Sequence, residues 1–379
     1  MVASLHELLR PITLTKVISQ IAASSQSLLR WMQMGPGQSL ELSMGHGREG
    51  FYHVFNNVRT VGLGRAPGTA AARRARNPIG RVPFVYPRMH EQTSLLAEEI
   101  HNLGRIGDPG ARDTAGQEYI RRQATPPAQR LANFRTAMVV GMLRDSLYVH
   151  ESGDNWYFSY TSSGSLFQIA YQMPAANKTQ LDMLGAGNII DVSWDNPSAD
   201  IPLHLGNINK AFQQLYGGRL EHVHCTFAVW NYITNNDIVA AGHGIANPPF
   251  QTFVRALGTG PDGTPINEYV GTINKAPGVT FHISDDGIEL GAPGSETWTR
   301  HWEDTTAVFM GTPTSDLYNM MLGSEPIAEY DNAPWEVKTG AASWSTRAFN
   351  PTSYQLFTLD NALPVAYVPK ATAYGTVVF

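Results

Sequence analysis

Residues 65–81 read RAPGTAAARRARNPIGR, with five arginines, not one acidic residue and no apolar periodicity. Such a run cannot bury itself, because every guanidinium taken out of water needs a partner. It therefore projects and finds its counter-charge elsewhere. The flanks, FYHVFNNVRTVGL (51–63) and IGRVPFVYPRM (79–89), are rich in Val, Phe and Tyr and read as two strands of one long hairpin with the arginines at its tip. Pro83 and Pro87 make the second an edge strand, since proline has no N–H for a central ladder.

The rest of the chain is not basic. Its 379 residues carry a net charge of −5, and 42% of them are hydrophobic, enough for two or three compact units. Residues 1–150 hold 18 Lys and Arg against 10 Asp and Glu, a net of +8, whereas residues 151–379 hold 9 against 22, a net of −13. The two parts attract; within one subunit that attraction is screened, but repeated around a closed assembly it fixes register between copies. No apolar run reaches the roughly 18–20 residues of a membrane-spanning helix. The start, MVASLHELLRPITLTK, lacks the pattern of a secretory leader, and the single cysteine, Cys225, excludes an intrachain disulfide, so synthesis in the cytosol is expected.

Along the chain, residues 14–34 space Val17, Ile21, Leu28 and Trp31 as an amphipathic helical arm that stops at Gly35-Pro36-Gly37. Residues 125–149 predict the longest helix, capped by Thr125, with proline in its first turn and a length on the order of 35 Å. YFSYTSSGSLFQIAYQMP (157–174) reads as strands around a Ser/Gly turn. Asp200 opens a helix with Ile201, Leu205, Ile208, Phe212 and Leu215 on one side, followed by a strand LEHVHC and a helix around FAVWNYITNN. Residues 242–300 are rich in loops, and YQLFTLDNALPVAYVPKATAYGTVVF closes the chain as strands.

Chemistry finds little support. His222 and His224 share one strand face while Cys225 points to the other, so with His204 and His243 distant in sequence they read as strand histidines and not as metal ligands. GLGRAPG (62–68) has the wrong spacing for a dinucleotide loop. There is no nucleophile elbow, and Cys225 lacks a cationic neighbour. The pairs Glu98-Glu99 and Asp285-Asp286 read as surface carboxylates. No catalytic residue, cofactor or metal is expected. Arg59, Arg65, Arg73, Arg74, Arg76, Arg81 and Arg88 form a basic patch, but 65–81 interleaves no aromatic for base stacking, so carboxylates of an identical neighbour fit it better than nucleic acid.

The order of these parts resembles, over nearly the whole chain, the major capsid proteins of tailed bacteriophages of the lambda type, with the Hong Kong 97-like fold. The resemblance rests on the hairpin and its exit GRVPFVYPRMHEQTSLLAEEI, the long helix, DVSWDNPSADIPLHLGNINKAF (191–212) with its Trp, Pro and Ala-Asp before a helix, and NALPVAYVPKA near the end. It implies an α+β fold with an N-terminal arm (1–48), an E-loop hairpin (49–90), a P-domain (91–190) with a spine helix (125–149), an A-domain (191–338) and a return to the P-domain (339–379). The subunit would form hexamers and pentamers of an icosahedral head, assembled in the host cytoplasm around double-stranded DNA. A portal would occupy one vertex, with a scaffolding protein and a decoration protein as further partners. The E-loop arginines would grip a neighbour's carboxylates, for which Glu98, Glu99, Asp108, Asp113 and Glu118 are candidates. Three rivals remain: an encapsulin-like cargo shell, a β-rich metal enzyme built on His222 and His224, and a monomeric DNA-binding protein.

Some members of this family harden their shells with an isopeptide bond from an E-loop lysine. Residues 17–177 contain no lysine, so reinforcement here is non-covalent. Particles boiled in detergent should release this chain as a single band on a gel; a ladder of covalent multimers would refute that expectation.

Overall fold

The computed structural model describes residues 11–25, 27–43, 49–55, 79–96, 109–241, 248–259, 265–327, 335–349 and 352–379. Helices α1 (Pro11–Ser25) and α2 (Ser27–Met32) come first, then strand β1 (Glu41–Ser43), the hairpin strands β2 (Glu49–Phe55) and β3 (Ile79–Val85), and β4 (Arg88–Leu96). The long helix α3 (Pro109–Arg144) leads into β5 (Leu147–Ser152), β6 (Asn155–Ser159), β7 (Phe167–Ile169) and β8 (Lys178–Thr179). Next come α4 (Ile201–Leu215), β9 (His222–Cys225), α5 (Phe227–Thr234) and α6 (Asp237–Ala240). The remainder is strand: β10 (Phe250–Thr259), β11 (Pro265–Ile273), β12 (Thr280–Ile283), β13 (Gly287–Leu290), β14 (Thr297–Arg300) and β15 (Thr306–Met310). These are followed by β16 (Tyr318–Leu322), β17 (Ser324–Ile327), β18 (Glu336–Thr339), β19 (Ala342–Phe349), β20 (Thr352–Ala366) and β21 (Thr372–Thr376).

The result is an α+β molecule with two main cores. One lies where α1, α2 and α3 pack on a sheet centred on β20, whose first half is flanked by β4 and β19 and whose second half pairs with β16. The other fills the space between α4, α5 and a seven-stranded sheet of order β10-β11-β12-β9-β15-β21-β8. Leu317 and Tyr367 pack against both.

The segment 191–212 shows why a Trp, a Pro and Ala-Asp precede α4. Asp200 caps the helix by accepting from the Leu203 amide at 3.0 Å, and Pro202 sits in the first turn, where no intrahelical donor is needed. Trp194 is buried edge-on to Phe309 and donates its indole N–H to His204 Nδ1 at 3.1 Å, while His204 Nε2 meets Asp191 at 2.8 Å. The entry segment and the helix are thus tied by one polar chain. The expected one-sided burial holds for Ile201, Leu205, Ile208 and Phe212, with Leu215 half-buried.

The long helix differs from its expected limits of 125–149. It spans 36 residues, about 54 Å, and starts at Pro109, which takes the first-turn position assigned to Pro126. Pro126 and Pro127 lie inside it. Its end is earlier, at Arg144, because Asp145 adopts a left-handed φ of 49° and the Ser146 amide bonds the Gly141 carbonyl at 3.0 Å, a helix-ending loop that usually uses glycine. Asp145 takes that place because its carboxylate accepts the Tyr171 amide at 2.9 Å and pairs with Lys178. Gly141 is required here: a Cβ would stand 2.6 Å from that of Leu147, the first residue of β5.

At the centre of α3 lies Arg135, whose side chain is fully buried. Its guanidinium grips Asp360 of β20 in a fork, 2.6 Å and 2.9 Å, while a third N–H reaches Glu41 of β1 at 2.5 Å and the Met34 carbonyl at 3.3 Å. Burial alone would make the guanidinium easier to deprotonate, but the charges and hydrogen bonds of Asp360 and Glu41 overcome this and hold it protonated. Removing the cation leaves two carboxylates facing each other in the core. Arg135→Ala should therefore cost about 3–5 kcal/mol, read as a lowered midpoint in urea unfolding; a loss below about 1 kcal/mol would show that the site is not the anchor its geometry implies.

Candidate assembly surfaces and a buried histidine cluster

The hairpin stem is the first candidate. β2 and β3 pair antiparallel from Glu49↔Val85 to Phe55↔Ile79 as a two-stranded sheet, which is why Pro83 is tolerated. Tyr52 and Tyr86 sink into the first core, and the Phe55 amide bonds the Tyr367 carbonyl at 2.8 Å, so the described stem is held to the body from its base to Phe55. Two-stranded hairpins are marginal alone, and this one is held by those contacts. The chain then re-enters the body as β4, beside β20.

Of the seven arginines expected at the interface, Arg59, Arg65, Arg73, Arg74 and Arg76 lie outside the described residues, as do Glu98, Glu99 and Asp108. Asp113 and Glu118 fall on α3, with their side chains also outside the description. Arg81 is exposed and lies 3.5 Å above the ring of Phe51, a cation–π contact along the stem. Arg88 meets Glu325 of its own chain at 3.0 Å, a partner absent from the expected set, and approaches His90 Nδ1 at 3.1 Å. Glu325 also accepts from Asn361 at 3.0 Å, so this pair locks the hairpin exit to β17 and β20.

Exposed large apolar side chains form the second candidate. Several lie on hairpin strands: Phe55 on the stem with Val85, Phe253, Val254 and Tyr269 on β10–β11, Trp298 on β14, and Trp335 and Val337 at β17–β18, while others, such as Leu203 on α4 and Tyr232 on α5, lie on helices. Trp298 is 63% exposed and Trp335 73%. A single exposed leucine means nothing, but tryptophans left this far in water are candidates for contact surfaces.

The third feature went unnoticed as a cluster in the sequence. β9 and β12 run parallel with His224 opposite His282, and the rings stack at 4.5 Å. His222 Nδ1 lies 2.9 Å from His282 Nε2, and His222 Nε2 lies 3.0 Å from the Thr312 hydroxyl. His282 Nδ1 is bonded to Glu268, whose other oxygen holds Arg255 at 2.5 Å and 3.1 Å. Trp31 of α2 covers all three imidazoles, its ring 5.0 Å from His222, 4.6 Å from His224 and 4.6 Å from His282. Only the i, i+2 pair was visible in sequence; His282 arrives from 60 residues away and Trp31 from the arm. A cavity of about 260 Å³ opens beside them, bordered by Trp302, Tyr269 and Asp286.

Burial lowers the proton affinity of all three imidazoles, most strongly at His224 and His282. Glu268 does not reverse this at His282, because its charge is already balanced by Arg255. Among the described residues no three His, Cys, Asp or Glu side chains are arranged to hold a metal ion. His204 serves the Trp194 contact, and His243 lies outside the described residues. Cys225 is buried, and burial pushes its thiol well above the usual range, which removes it as a nucleophile. Among the described residues no helix is long and apolar enough to cross a membrane.

No family model matches the chain, and no curated protein matches it. Solved structures do. The chain is similar to a phage-related protein from Bordetella bronchiseptica, at 9% identity and a TM-score of 0.47, with 96% of each chain covered. It is similar to the mature capsid of bacteriophage PhiM1, at 13% identity and a TM-score of 0.41, over 89% of this chain and 84% of that one. An encapsulin complex from Synechococcus elongatus is matched at 9% identity and a TM-score of 0.41, over 89% of this chain and 84% of that one.

Proposed function

We propose that this chain is a shell-forming subunit, the major capsid protein of a tailed-bacteriophage head, and that its role is structural and not catalytic. The observation that carries the reading is the anchored hairpin stem. A two-stranded ribbon is fixed to the body at Tyr52, Tyr86 and Phe55, carries Arg81 along its edge and continues into the arginine-rich segment 65–81. The guanidiniums of that segment need counter-charges, and the body they would meet next door bears the acidic excess of residues 151–379. Apolar protrusions at Trp298, Trp335 and Phe253 support the same conclusion, since copies packed side by side would cover them.

On this reading the copies form hexamers and pentamers around double-stranded DNA, held without sequence recognition, in a virion assembled in the host cytoplasm. Scaffolding, decoration and portal proteins would be the further partners. An encapsulin-like shell is the second reading, because the same ribbon would serve it equally; shell contents of protein cargo in place of DNA would favour it. A metal enzyme on His222 and His224 is disfavoured by geometry, because both nitrogens of His222 and of His282 already face partners.

The expressed chain should give shells or capsomer rings under the electron microscope, and Arg73→Glu, Arg74→Glu and Arg76→Glu together should abolish them or strip their resistance to salt and heat. A chain that sediments only as monomer in every buffer would overturn the proposal. Trp335→Ser should weaken assembly while shifting monomer stability by no more than about 0.5 kcal/mol, checked by comparing particle yield with urea unfolding.

A further inference from the structure

The arm is fastened to the seven-stranded sheet through a contact whose strength must depend on pH. Trp31 packs on His222, His224 and His282, three imidazoles mutually in contact and mostly buried. We propose that Trp31 and these three imidazoles form an acid-opened latch: uncharged, they hold α2 against the sheet, and charged, they release it.

Two positive rings 4.5 Å apart, under an indole and away from water, would repel each other and lose hydration. The nearby charges do not offset this. Glu268 on β11, held by Arg255 on β10, favours charge on His222 and His224, but burial outweighs it. Glu221, beside His222 just before β9 and engaged with Thr312, favours charge on His222 and is likewise outweighed. His301 lies among Asp286 and Arg144; burial lowers it to about 4, so over the pH range of the latch it is uncharged and neither adds to nor offsets a charge on its neighbours. From α2 itself the facing cation is Arg30, whose guanidinium lies where Gly258, at φ 128°, has no Cβ. On the cavity side Asp286 accepts from Ser27 at 3.0 Å and Asp285 from the Phe227 amide at 3.2 Å. The His224 Nε2 atom is buried without a hydrogen-bond partner among the described residues, so the closed state offers a new N–H no acceptor.

The direction follows. Closed, the imidazoles bind protons less readily than free histidine at 6.5; opened into water, they regain that value. The open state therefore binds more protons on acidification, and the closed contact is complete above about pH 6.5 and weakens progressively below it.

Hydrogen exchange of the full-length chain at pH 7.5 and pH 5, corrected for intrinsic rates, tests this. Amides of residues 28–34 should exchange at least tenfold faster at pH 5, while those of α4 keep their protection. Trp31→Ala should give fast exchange of the same segment at both pH values, and His224→Phe, which keeps a ring but cannot charge, should at least halve the pH effect. Equal protection of 28–34 at both pH values in the unaltered chain overturns the latch, as does loosening of α4 in step or an undiminished pH effect in His224→Phe. Should either variant fail to fold, the profile of the unaltered chain decides alone.

Discussion

A single guanidinium removed from water sets the terms for the first core. Arg135 is tolerable there only if both Asp360 and Glu41 are present and correctly aimed, and those carboxylates come from the last long strand and from the segment after the arm. The requirement joins three regions that are far apart in sequence: positions near 41, 135 and 360. Hydrophobic burial in α3 would accept many small slips along the helix axis, whereas a forked ion pair accepts one placement. The charge thus acts less as a source of stability than as a register pin between helix and sheet. From that pin follow the course of β20 and the seating of β4 and β19 on either side of it.

Local signals were legible where sequence-adjacent residues complete one another. Asp200 and the Leu203 amide declare themselves within a few positions, and α4 stands where its pattern puts it; the hairpin pairs as expected from 49–55 to 79–85, but the run 79–89 divides at Tyr86-Pro87, and its end belongs to β4 beside β20. The ends of α3 were not legible. Pro126 next to Pro127 reads as a start, yet the helix passes through both, and its stop rests on an aspartate whose left-handed turn is supported by Tyr171 and Lys178, 26 and 33 residues on. The histidine cluster is still less local, since parallel pairing of β9 with β12 brings His224 and His282 together only after a long crossover. Arg88 illustrates the same limit for charge: counting acidic residues near the hairpin base misses Glu325, which reaches it through β17.

The two cores divide the labour of the fold. The first receives the arm, the hairpin exit and the long helix. The second is built from α4, α5 and strands around Val223 and Phe281 that come from β8 and β9–β12 as well as from β15 and the C-terminal β21. Trp31, packed against the first core, touches three histidines on the face of the seven-stranded sheet turned away from the second.

Cys225 lies inside β9, in the middle of that second sheet, and it is the only sulfur able to form a covalent link. No thiol faces outward, so passing from a reducing interior to an oxidising exterior would neither stitch nor cut this chain. If copies of the chain hold one another, no later disulfide can add to their cohesion.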